Sequence, residues 1–155
     1  MSRVTLFVLM AFSVGCASAN LTVVKPLAAP LHEASLTVEP TAQMTAEQQS
    51  RLRTLLTTSL SEAGVTVRSS EVGRSELAGQ VVEYRPGNRA LRYFIGFGAG
   101  KGRFGSNWRV VDGSGEEVGS CRIDGSIVMG GFGGSYDDVL EKVGQRLGEF
   151  LGGPK

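Results

Sequence analysis

Two cysteines, one histidine and a block of arginines are the residues of this 155-residue chain whose types could do chemistry. A thiol is a nucleophile only as thiolate, which needs a neighbouring base or a positive environment. Cys121, Ile123, Gly125 and Ile127 alternate with Arg122, Asp124 and Ser126, so Cys121 is expected to face the core of a strand as an unreactive thiol. His32, the single histidine, lies far from it in the chain. One histidine and one domain cysteine are too few for a zinc or other soft-metal site, and no metal or cofactor is expected. Asp112, Glu116, Asp124 and Tyr84 would support acid–base catalysis only if the fold brought them into one pocket. No catalytic residue is assigned, and the chain is read as a non-enzyme. The pair Asp137-Asp138 stands at an expected helix start, where negative charge favours the helix dipole.

Gly96, Gly98 and Gly100, followed by Lys101, invite a phosphate-loop reading that their spacing refuses. A Walker loop needs glycine where Ile95 stands and Ser or Thr where Gly102 stands. These glycines are read instead as a tight bend or a close backbone approach. From Arg85 to Arg109 the chain holds six basic residues and no acidic one, with Tyr93, Phe94, Phe97, Phe104 and Trp108 interleaved. Arg89, Arg92, Lys101 and Arg103 are therefore candidate anion-binding residues, for a glycan or a lipid headgroup. The plainer reading has the arginines on solvated faces, paired with Glu83, Asp112, Glu116 or Glu117, and the aromatics in the core.

The N-terminus is the most specific signal. Arg3, the apolar run Val4 to Phe12 and the small residues through Ala19 have the order of a secretory signal, too short to span a bilayer. Ser13-Val14-Gly15-Cys16 resembles the bacterial lipobox, which makes residues 1–15 a signal peptide and Cys16 a lipidation site. Ala17-Ser18-Ala19 offers a competing cut that would remove residues 1–19 and release a soluble chain. Ala17 is not acidic, so a lipidated form is expected at the periplasmic face of the outer membrane. Without Arg3 the chain has 15 basic and 15 acidic side chains, a balance that argues against nucleic acid as a partner.

Behind the signal, Pro26 and Pro30 in a weakly periodic stretch point to a flexible tether over 16–34, with Leu21 to Val24 left open as a short strand. A domain over 35–151 follows, with 152–155 as a tail. Its expected elements are a strand near Ser35 to Val38 and a helix opened by Thr45 and Gln48 and closed at Gly64. Strands follow at Val65 to Val67 and Gln80 to Tyr84, then a hairpin of Trp108 to Val111 with Glu117 to Val128. Ser135 and Asp138 open a second helix whose stripe is Tyr136, Leu140, Val143, Leu147, Phe150 and Leu151. Gly144 and Gly148 beside that stripe are expected to let the helix approach the sheet. Residues 88–96 read as a short helix, or else as a strand. The sum is an α+β fold, a single two-layer domain with a mixed or antiparallel sheet of four to five strands under two helices.

Gly87-Asn88-Arg89-Ala90-Leu91-Arg92, then Gly96 to Lys101, Val111-Asp112 and Gly115-Glu116-Glu117-Val118, resemble domain-of-unknown-function family 4410 from about Ser35 to Leu151. The resemblance implies an exported bacterial envelope lipoprotein and supplies no activity or catalytic residue. The expected protein is a non-catalytic accessory or binding module, a membrane partner through Cys16, with an envelope protein as a further partner. The alternative is a soluble secreted module that holds an anionic ligand through residues 85–109.

Overall fold

The computed structural model describes residues 17–69, 74–85, 102–127 and 135–152. Their local signals become eight elements: β1 (Ala17–Lys25), β2 (Glu33–Glu39), α1 (Ala46–Glu62), β3 (Thr66–Arg68), β4 (Glu76–Arg85), β5 (Arg103–Val111), β6 (Glu117–Ile127) and α2 (Tyr136–Leu151). Both helices open on a full capping box. Gln48 N–H donates to Thr45 Oγ1 at 3.3 Å and Thr45 N–H to Gln48 Oε1 at 2.9 Å, so the two side chains satisfy otherwise orphaned amides. Ser135 and Asp138 do the same for α2. Gly64, at φ +84°, turns the chain out of α1 in a conformation that side chains rarely adopt.

The strands form one sheet in the order β1-β6-β5-β4-β2-β3. β2 runs parallel to both β3 and β4, and the remaining pairs are antiparallel. The unit β2-α1-β3 therefore lays α1 across the sheet, while α2 packs on β1, β6 and α1. Alternation decides which side chains meet the helices. Phe104, Trp108 and Val110 of β5 and Ile123 of β6 are buried against Leu52, Leu56 and Leu60 of α1 and Val143 and Leu147 of α2 in one cluster.

The sheet has six strands rather than four or five, and the added one is β1, in the stretch expected to be a tether. Ala17, Ala19, Leu21 and Val23 alternate with Ser18, Asn20, Thr22 and Val24, a strand pattern that looks like a signal-peptide end because its inward residues begin as alanines. The folded body thus begins well before Ser35. β4 also starts earlier than expected, at Glu76. Gly144 and Gly148 face α1, not the sheet: a Cβ on either would overlap the Cβ of Ser59 or of Ala63. The reading of 88–96 lies outside the described residues.

Candidate functional site

The register assembles the helix-free face of the sheet row by row. Thr22 stands opposite Arg122, Arg122 opposite Asn107, Asn107 opposite Gln80 and Gln80 opposite Glu39, a polar row across five strands. The next row toward the 112–116 turn holds Ser120, Arg109, Ala78 and Thr37. Apart from Thr22, the residues of these two rows line a shallow groove of about 570 Å³. Arg122 is held flat by Asp124, with Nε and Nη2 both 2.9 Å from the carboxylate, and the hydrogen bonds raise its pKa. Arg109 has no carboxylate partner among the described residues.

In the opposite direction the rows end on Ser18, Ser126, Arg103 and Arg85. Arg103 and Arg85 are both exposed and directly opposed on neighbouring strands. Glu83 Oε1 lies 3.4 Å from Arg85 Nε, one of the pairings expected from the sequence, whereas Arg103 has no carboxylate partner among the described residues. Beneath them the rings of Tyr84 and Tyr136 meet edge to face at 5.2 Å, and Tyr136 donates to the Arg103 carbonyl at 3.4 Å. Burial pushes both phenols above their ordinary pKa, which keeps them neutral packing groups.

Of the expected site residues, Arg103 alone lies within the described body. Cys16, Arg89, Arg92, Lys101, Gly96, Gly98 and Gly100 lie outside the described residues. Cys121 is buried, and burial pushes its thiol up to about 12, so almost none is thiolate at neutral pH. The four groups named for acid–base work do not converge. Asp112 Oδ1 accepts from Ser114 N–H at 2.9 Å, Ser114 Oγ at 2.6 Å and Glu116 N–H at 3.0 Å, which ties the 112–116 turn and lowers its pKa. Asp124 is engaged by Arg122, and Tyr84 sits at the far end of β4 from that turn. Asp138 caps α2 and Asp137 binds Arg51 across the helices, with Arg51 Nε 2.8 Å from Oδ1. Among the described residues no cluster of His, Cys, Asp and Glu could hold a metal, and no helix is long and apolar enough to cross a membrane.

Sequence reasoning missed the partnership of Arg85 with Arg103 and the row through Arg122. Alternation gives the face of each residue, but only strand order shows which residues become neighbours.

Solved structures share the fold. The PelC dodecamer of Paraburkholderia phytofirmans, as a Leu-to-Met variant, aligns at TM-score 0.52 and 18 % identity over 85 % of this chain and 97 % of that one. A second crystal form of that dodecamer aligns at 0.52 and 17 % over the same shares. No curated protein matches. A family model does match, over residues 24–131, from the end of β1 to beyond β6, and the chain belongs to that family, described as Domain of unknown function (DUF4410).

Proposed function

We propose that the protein is an exported accessory module of a bacterial envelope, held by a lipid on Cys16 and working by binding rather than by catalysis. The burial of Ala17 and Ala19, 7 % and 5 % exposed, carries this reading. A cut before Cys16 leaves all of β1 in the mature chain. A cut after Ala19 discards both alanines and the pairing of residues 17–19 with Ile127, Ser126 and Gly125. It also discards the carbonyl of Ala19, which accepts from Arg146 Nε at 3.1 Å. Loss of strand pairing and of buried apolar surface both disfavour the body so truncated. The soluble alternative, which would hold an anionic ligand through 85–109, carries that cost. Mass spectrometry of the mature N-terminus should find lipidated Cys16. An unmodified chain beginning at Asn20 would overturn the reading.

A second feature supports assembly with copies of this chain. β1 is one of the two edge strands of the sheet, nine residues long, and Val23 and Val24 at its end are 47 % and 71 % exposed. A long unpaired strand edge is a template for pairing, and the aligned solved structures are dodecamers. Light scattering on the purified mature protein should give a multiple of the chain mass. A single-chain mass at high concentration would dismiss assembly.

A further inference from the structure

We infer that the helix-free face of the sheet is a self-complementary surface on which two copies of this chain meet across a two-fold axis. The polar row at the middle of that face carries the argument. From β6 to β2 it holds Arg122, Asn107, Gln80 and Glu39, a cation, two carboxamides and an anion, each directly opposite the next. Reversed, the row is its own complement. A two-fold axis parallel to the strands, between β5 and β4, lays Arg122 over Glu39 of the second copy and Asn107 over Gln80 of the second copy. Each contact then occurs twice, as an isologous interface requires.

The rows beside it fit the same axis. Ser120, Arg109, Ala78 and Thr37 form the next, so Arg109 comes over Ala78 of the second copy, whose methyl leaves it room. Glu76 lies two residues from Ala78 on the same face, beside that guanidinium. Glu117, Val111, Glu76, Ser35 and Arg68 form the third row, which sets Glu117 over Ser35 and next to Arg68. Antiparallel sheets commonly leave one face to water, but on this one the charges of the groove are uncommitted. Arg109, Glu39 and Glu76 form no ion pair among the described residues. Arg122, held by Asp124 through Nε and Nη2, keeps Nη1 for a further acceptor. Packed sheets stand about 10 Å apart and cross at about 30°, so the match is best near the axis. Arg85 and Arg103, two rows beyond Gln80 and Asn107, fall outside it. Four strands wide and three rows long, the contact spans about 20 Å each way, the size of a reversible association rather than an obligate one.

The partner, a second copy, rests on the assembly reading; the surface does not, and one experiment separates them. The chain from residue 16 onward, carrying Cys16→Ser so that no lipid drives association, is followed by sedimentation velocity over a range of concentrations. The parent should self-associate, and less so as salt rises. Glu39→Arg sets like charges against Arg122 of the second copy, and Arg122→Glu does so against Glu39. Each alone should raise the dissociation constant by about tenfold or more. Mixed one to one, the two variants should associate again, because every contact then regains one cation and one anion. Should Arg122→Glu fail to fold by circular dichroism, Arg109→Glu takes its place with the same direction of effect, since Arg109 has no ion pair to lose among the described residues. Variants that fall to a single-chain mass assign all association to this face. A parent that stays a single chain overturns the inference and leaves the face to a partner of another kind. Association that neither variant weakens, or that mixing does not restore, overturns it while leaving pairing along β1 standing.

Discussion

Trp108 and Cys121 sit opposite each other on β5 and β6, and both are sealed from water. The thiol at Cys121 should resist alkylation in the folded protein at pH values near 8 and react once urea unfolds it; fast labelling of the native chain would contradict its raised pKa. Trp108 donates from Nε1 to Ser106 Oγ at 2.8 Å, so the buried indole and hydroxyl satisfy each other, and its ring lies on Gly79 of β4. A Cβ at position 79 would overlap that ring, and Gly79→Ala should cost about 1–3 kcal/mol in urea unfolding. The side-chain burial of Cys121 was legible in its alternation, but Gly79 carried no signal, because only the register of β4 with β5 puts it under Trp108. Asp112 gives the residue scale its pH dependence. Its pKa is lowered in the fold, chiefly by Ser114 Oγ, so its contribution is whole above the ordinary carboxylate pKa and is lost as the pH falls through the lowered value. The stability difference between the parent and Asp112→Ala should therefore be larger at neutral pH than at about pH 2.

The two helices show where element-level reading succeeds and where it stops. Both capping boxes were legible in the sequence, because an N-cap and its partner three residues on form a local motif that needs no tertiary partner. Ser135→Ala should lower stability by about 1 kcal/mol, visible in the thermal midpoint. The small stripe of α2 was legible as a close approach, but its partner was not. Gly144 and Gly148 meet Ser59 and Ala63 of α1 because α2 leans on its fellow helix as well as on β1 and β6. Alanine in a helix gains about 1 kcal/mol over glycine, while overpacking against a Cβ fixed to another backbone costs about 1–3 kcal/mol. Overpacking wins, so Gly144→Ala should destabilise the protein, and adding Ser59→Gly should recover part of the loss in a double-mutant comparison.

At the scale of the whole molecule β1 makes the proposed cut a matter of folding as well. A chain starting at Asn20 should unfold at lower urea than one starting at residue 16, by about 1–3 kcal/mol, since it lacks two buried alanines and their strand pairing. Equal stability would remove the physical case for a cut at Cys16. The sequence by itself determined the α+β class, the two helices with their caps, the β5-β6 hairpin and the buried Cys121. All of these rest on periodicity or on contacts a few residues apart. Tertiary structure decided the sixth strand, the helix-to-helix use of Gly144 and Gly148, and the meeting of Arg85, Arg103 and the start of β1 at one end of the sheet. Those features are pairings between segments up to about a hundred residues apart, such as Ala17 with Ile127, and long-range strand order leaves no local trace in composition or spacing.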